Sequence, residues 1–285
     1  MKEVAFATCA AHPALVDDDR LVLEPLRARG IEVTPVVWDA PGTYPRERPV
    51  VIRSCWDYHR KPADFVRWAR GLSGDGVALW NPAPVVDWTH DKSYLRDLGE
   101  KGVAIPQTAW VTQGAEVDLA TVLADRDWPK VVVKPLVSAS AWRTFVTEPH
   151  TASAQQPAWR ELLRDSGAMV QEFVAEVQTA GEWSLLFFGA EFSHAVLKRP
   201  RDGDFRVQSE LGGTAVLADP PAHLLDAARR ILSLIPEPLL FARVDGVEVD
   251  GSFVLMELEL IEPALFLGAD PAAPARFADA IAALC

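Results

Sequence analysis

Apolar residues come in short blocks along this chain, and the spacing inside each block predicts an element. Residues 4–8 (VAFAT), 31–37 and 49–53 (PVVIR) are near-continuous apolar runs of strand length, and residues 77–80 supply a fourth. Helical stretches lie between them. Asp17, Asp18 or Asp19 can cap a helix that stops at Gly30, with Pro25 forcing a kink or a late start; residues 62–72 form a second, amphipathic helix. This alternation predicts a small open α/β lobe, residues 1–86, whose ligands gather beyond the strand C-termini. Arg53 sits at such an end, followed by Ser54-Cys55-Trp56-Asp57, and is the candidate to grip a substrate carboxylate. A salt bridge to Asp57 or another loop acid is the structural alternative.

From residue 87 a second segment begins. Residues 91–101 are helical up to Gly102, residues 103–108 lead into a strand, and residues 119–125 form a short helix. The strand KVVVKP ends at Lys134, just before a loop of small residues containing Ser138 and Ser140, where an ammonium can meet a polyphosphate. A strand-end lysine reaching solvent is the plainer reading. A strand at 142–147, a helix at 158–165 and a strand at 168–174 complete a unit expected to span residues 87–175. The remainder, 176–285, opens on a hairpin (181–188 and 191–199) that turns at Gly189-Ala190. Lys198 closes that hairpin, Arg206 follows, Gly212-Gly213 marks a flexible loop, and helices are expected at 221–234 and 270–285. With no internal repeat or low-complexity tract, the three lobes are expected to pack together.

Residues 241–263 (FARVDGVEVDGSFVLMELELIEP) read as two strands joined at Asp250-Gly251. Strict alternation puts Glu257 and Glu259 on one face together with Phe253, Leu255 and Ile261. Two carboxylates on such a face repel unless a cation intervenes, and hard oxygen ligands suit magnesium. Asp245 on the first strand is the natural third ligand. A two-residue turn would set Asp245 opposite Met256, whereas a three-residue loop with a glycine bulge would set it opposite Glu257; the bulged loop is the expectation. The alternative is a solvated edge with Arg or Lys partners.

Composition narrows the field. The 285 residues allow one large domain or two to three lobes, and the net charge of −12 disfavours nucleic-acid and acidic-membrane partners. Cys9, Cys55 and Cys285 are far apart and lack metal-type spacing, which fits a reduced cytoplasm. The apolar run at the N-terminus is too short for a signal peptide, and no stretch reaches membrane-span length. A homodimer is the base-rate expectation for assembly.

Taken in order, VIRSCWDYH, WTHDKSYL, VVVKP, GEWSLLFFGAEFSHAVLK and MELELIEPAL resemble the ATP-grasp superfamily, its glutathione-synthetase-like ligases, and most narrowly the branch containing the O-ureido-serine cyclo-ligase of cycloserine biosynthesis. The resemblance spans nearly the whole chain. It implies an ATP-grasp fold, an N-terminal α/β lobe followed by two α+β lobes clasping ATP. It implies an ADP-forming ligase that joins a small amino-acid-like carboxylate to an amine through an acyl phosphate. Lys92 and Lys134 would contact phosphates, with Ser138 and Ser140 in the covering loop. Gln171 and the backbone around Glu172, Phe173 and Val174 would meet adenine, while Glu176, with Glu182 nearby, would hold the ribose. Lys198 would touch phosphate or the adenine-side carboxylates, and Arg206 would steady the transferred phosphoryl group. Asp245, Glu257 and Glu259 would bind magnesium, with manganese as a substitute. Two departures stand out: Glu259 occupies a position where many ATP-grasp enzymes have asparagine, and the loop after Lys134 lacks glycine. Glu262 is a further unusual carboxylate nearby. A phosphotransferase, or a nucleotide-binding module without turnover, are the alternatives on the same fold. No protein nucleophile is required, so Cys55 and His59 are read as structural.

Overall fold

The computed structural model of the chain describes residues 2–41, 48–139, 141–201, 206 and 212–284. An apolar strand needs hydrogen-bonding neighbours on both edges, and β1 (Lys2–Thr8) has them, as the second strand in a parallel sheet. Helices α1 (Asp17–Arg20) and α2 (Leu23–Ala28) follow, with Pro25 in the first turn of α2, where the missing N–H costs nothing. The single helix expected here is thus two, broken at Leu21-Val22. Gly30, at φ 74°, reverses the chain into β2 (Ile31–Val37). The sheet continues with β3 (Val50–Ile52), α3 (Pro62–Gly74) and β4 (Leu79–Trp80), in the order β2-β1-β3-β4. Helix α4 (Ala83–Thr89) was not foreseen; Pro82 and Pro84 stand at its N-terminus, where proline is preorganised. The boundary expected at residue 86 therefore falls inside a helix.

The second sheet is antiparallel. After α5 (Tyr94–Glu100) come β5 (Thr108–Val111), α6 (Leu119–Leu123), β6 (Val131–Pro135), β7 (Phe145–Thr147), α7 (Gln156–Asp165) and β8 (Ala168–Glu172), with sheet order β5-β8-β6-β7. One face of β6 and β8, through Val131, Val133 and Val170, packs on Leu119, Trp159 and Leu162 from α6 and α7. Trp159 is wholly buried, and its indole N–H is satisfied by the carbonyl of Val117 at 2.7 Å. The alternate positions, Val132, Lys134 and Gln171, are thereby aimed at the other face.

Helix α8 (Glu176–Thr179) leads into the third sheet. It comprises β9 (Glu182–Phe188), β10 (Glu191–Arg199), β11 (Thr214–Leu217), β12 (Phe241–Val249) and β13 (Ser252–Glu259) in the order β11-β10-β9-β12-β13, with α9 (Ala222–Leu232) between β11 and β12 and α10 (Ala273–Ala282) closing the chain. Period-2 alternation sorts β9 into two cores. Leu185 and Phe187 join Tyr94 and Leu98 of α5 and Leu224 and Ile231 of α9. Leu186 and Phe188 join Val4 and Phe6 of the first sheet and Phe277 of α10. Burying side chains of this size contributes about 1.5–3 kcal/mol each, so both packings hold the lobes together.

The β12–β13 hairpin corrects the expected register while keeping its outcome. Val249 pairs Ser252 across a two-residue turn whose Asp250 and Gly251 both have positive φ, 50° and 74°. The bulge lies further along instead: Gly246 pairs Leu255 and Asp245 pairs Glu257, leaving Met256 as the extra residue. Its cause is a close approach at Gly246. A Cβ there would lie 2.3 Å from Phe253 Cζ and 2.6 Å from the carbonyl of Val254, so a glycine is required. The extra residue flips the alternation. Phe253 and Leu255 face the core with Leu258 and Leu260, while Glu257 and Glu259 face the opposite way, and the single mixed face expected from the sequence does not exist.

Candidate active site

Because β9, β10, β12 and β13 alternate in phase, one end of the third sheet presents Glu182, Lys198, Arg243, Asp245, Glu257 and Glu259 together. They form the floor of a cleft of about 570 Å³. Lys134, Gln171 and the residues up to Val174 line it from the second sheet, and Trp56 and Tyr58 from the first lobe. No described helix is long and apolar enough to cross a membrane.

Charge is closely matched across the floor. Lys198 Nζ lies 2.5 Å from Glu182 and 3.0 Å from Asp245; burial alone would lower its pKa, and the two carboxylates outweigh that and raise it. Asp245 is 2% exposed, accepts a hydrogen bond from Ser184 Oγ at 2.7 Å, and is gripped by Arg243 through Nε at 3.0 Å and Nη2 at 2.9 Å. Burial opposes its ionisation, yet Arg243 and Lys198 hold its pKa down at about 2. Arg243 also donates to Glu259 at 2.9 Å and to the carbonyl of Ala264 at 3.1 Å. Lys92 donates to Glu257 at 2.7 Å and to the carbonyl of Ser138 at 3.0 Å, tying the loop after β6 to β13. Burial would raise the pKa of Glu257, but Lys92 and Lys134 bring it below the ordinary value. For Glu259 burial prevails over Arg243, and its pKa is raised.

The outer edge of β13 explains why Lys92 arrives there. The N–H of Leu258 donates to the Tyr94 hydroxyl and that of Leu255 to the carbonyl of Ala104, both at 2.8 Å. An edge strand covered in this way cannot pair with another chain, and the covering segment carries Lys92.

Several sequence expectations change here. Arg53 is 1% exposed and does not line the cleft. Its guanidinium donates to Asp19 at 2.8 and 2.9 Å and to the carbonyl of Pro263 at 2.9 Å, so the partner is Asp19 rather than Asp57, and the group is unavailable to a substrate carboxylate. Replacing Arg53 by methionine is expected to lower stability by on the order of 3 kcal/mol, measured by urea denaturation, through the stranded Asp19. Glu176 opens α8 and is not among the lining residues, whereas Glu182 is. The N–H groups of Glu172 and Phe173 are donated to the carbonyls of Gln107 and Lys130, whereas that of Val174 has no backbone acceptor among the described residues; the ring of Phe173 lies 4.0 Å from Lys130 Nζ. Ser138 lines the cleft, Ser140 lies outside the described residues, and Arg206 lines the cleft from a segment whose neighbours also lie outside them. Arg243 was overlooked in the sequence. The available signal was its position two residues before Asp245, which places both on one face of β12.

The three carboxylates expected to hold a metal, Asp245, Glu257 and Glu259, are brought to one cleft, but among the described residues no three potential ligands gather into a group that would hold a metal ion. Each carboxylate turns to a side-chain cation because a buried anion needs counter-charge close by. Their donor chemistry still suits magnesium, with Asp245 directly opposite Glu257. Among the described residues Gln171 Oε1, buried in the cleft wall, has no hydrogen-bond partner, which leaves an acceptor that an amino group would satisfy.

Comparison with known proteins agrees with this arrangement. An ATP-grasp RimK domain protein from Sphaerobacter thermophilus superposes with a TM-score of 0.69 over 98% of this chain and 99% of that one, at 19% identity, which places the fold among the ATP-grasp ligases. A family model described as D-cycloserine synthetase DcsG, N-terminal domain, matches residues 4–81. The crystal structure of D-cycloserine synthetase DcsG superposes with a TM-score of 0.88 over 99% of both chains at 28% identity. The cycloserine biosynthesis protein DcsG of Streptomyces lavendulae is 32% identical over 285 residues, 92% of this chain and 91% of the relative. The chain belongs to the DcsG family of ATP-grasp ligases, enzymes that form C–N bonds.

Proposed function

We propose that this chain activates the carboxylate of a small amino-acid-like substrate with ATP and closes it onto a nitrogen, in the manner the names of its DcsG relatives suggest. The observation that carries the reading is the convergence of Lys92, Lys134, Lys198, Arg206 and Arg243 on one cleft whose opposite wall offers Gln171 and Val174 to a base. A carboxylate oxygen is a poor leaving group. Moving the γ-phosphoryl group onto it gives an acyl phosphate and ADP; attack by the nitrogen then expels phosphate and forms the C–N bond.

The residues contribute charge and position. Lys134, at the end of β6, meets the phosphates, and Arg206 and Arg243 neutralise the oxygens of the group in transit. Lys92 hydrogen-bonds the carbonyl of Ser138, so the loop that would cover the nucleotide is anchored on the lysine that also serves the cleft. Magnesium, held by Glu257 and Glu259 with Asp245 opposite, would supply further positive charge to the phosphates. Trp142 from the covering loop packs on His59 of the first lobe with ring centroids 5.5 Å apart, a contact that helps shield the acyl phosphate from water.

The first substrate to try is O-ureido-serine, in which acid and nitrogen belong to one molecule. ADP and phosphate should appear in equal amounts and only when an acid and a nitrogen nucleophile are both present. ADP without free phosphate would indicate a phosphotransferase. Thermal stabilisation by ATP with no ADP at all would indicate a binding module.

A further inference from the structure

The acids of the cleft divide by whether they have a counter-charge. Glu182, Asp245, Glu257 and Glu259 each have a side-chain cation within 3.0 Å. Glu262 has none. It is 7% exposed, lines the same cleft, and among the described residues no other side chain forms an ion pair or hydrogen bond with its carboxylate. Burial, reinforced by Glu259, raises its pKa to about 8. Such a group is costly to keep unless something arrives to pair with it.

The backbone around Glu262 is held from three directions. Trp56 Nε1 donates to the carbonyl of Glu262 at 3.0 Å, Arg53 to that of Pro263 at 2.9 Å, and Arg243 to that of Ala264 at 3.1 Å. Three successive carbonyls are thus engaged, which fixes the backbone that carries the carboxylate and leaves those oxygens committed to donors rather than to a metal ion. A divalent cation seeks several oxygen ligands; an ammonium needs few and is favoured by aromatic surfaces. Trp56 and Tyr58, both lining the cleft, supply those surfaces, and of the cleft acids Glu262 acts most strongly on the Tyr58 hydroxyl.

We propose that Glu262 binds the ammonium group of the substrate, making it the residue that selects amino acids over plain carboxylic acids. The assignment rests on the function proposed above, in that the cleft receives a small acid. It also gives Arg53 a part: with Trp56, it positions the segment that carries Glu262.

The test measures binding by calorimetry with magnesium and a non-hydrolysable ATP analogue, so that it does not depend on turnover. The ligands are O-ureido-serine, serine and alanine of either hand, each paired with the acid that lacks its amino group. For at least one pair, the wild type should bind the amino acid about 100-fold more tightly, as expected for a charge-assisted bond to a buried group. Glu262→Gln should reduce that ratio to below about 3-fold, Glu262→Asp should restore part of it, and the affinity for the ATP analogue should not change. The proposal is overturned if no pair shows an ammonium-dependent difference, if Glu262→Gln keeps the difference, or if it weakens both members equally. A raised magnesium requirement in Glu262→Gln would also overturn it, by making the residue a metal ligand. ADP release by the wild type, assayed in parallel, tests the ligase reading separately.

Discussion

Lys134→Met is expected to slow ADP formation by about 10³-fold while leaving the melting temperature unchanged or slightly higher. Lys134 ends β6 facing the cleft and has no ion-pair partner among the described residues. Burial lowers its pKa, and Glu257 only partly offsets this. A lysine whose folded pKa is depressed binds its proton less readily when folded than when unfolded, so its charge works against folding below that pKa. Removing it relieves that strain, and methionine keeps most of the volume. On the function proposed, the phosphates are the partner the group lacks. A coupled ADP assay and a thermal melt on the same preparation separate the two effects; equal losses in both would make Lys134 a structural lysine.

Arg243→Met should lose activity and stability together. Arg243 joins Asp245, Glu259 and the carbonyl of Ala264, and of the two acids only Asp245 retains another cation, Lys198. Stranding Glu259 beside a weakened Asp245 is expected to cost about 3–5 kcal/mol in urea unfolding. Arg243→Lys should recover only a minor part, since an ammonium cannot reproduce the paired donation of Nε and Nη2 to one carboxylate. Activity per folded molecule should fall in both variants, because on the function proposed the lost group also neutralises the phosphoryl oxygens. Full activity per folded molecule would confine Arg243 to scaffolding.

The elements that were legible are those whose signal is local. Apolar runs and turn residues located β1, β6 and the β9–β10 hairpin, and Asp250-Gly251 marked the β12–β13 turn. What escaped depended on contacts remote in sequence. The bulge at Met256 is invisible in the alternation of residues 253–261, since it arises from the ring of Phe253 lying over Gly246 on the other strand. Arg53 reads as a strand-end cation facing a ligand; only folding brings Asp19 against it, 34 residues away. The three acids were readable as cleft residues, but their pairing with Lys92, Lys198 and Arg243 was not, because it depends on α5 and β10 meeting β12 and β13. Glu262 stood out only as a further carboxylate beside the expected metal ligands, and the three donors that pin its segment come from the first lobe and from β12.

At the centre of the proposed function is a carboxylate made reactive by phosphoryl transfer within one cleft that gathers cations and acids together. Substrate labelled with ¹⁸O in its carboxylate tests this most directly, with mass analysis of the phosphate released during turnover. One ¹⁸O per phosphate is predicted, since the labelled oxygen bridges carbon and phosphorus before the nitrogen displaces it. Phosphate free of label, formed while the C–N product accumulates, would contradict it.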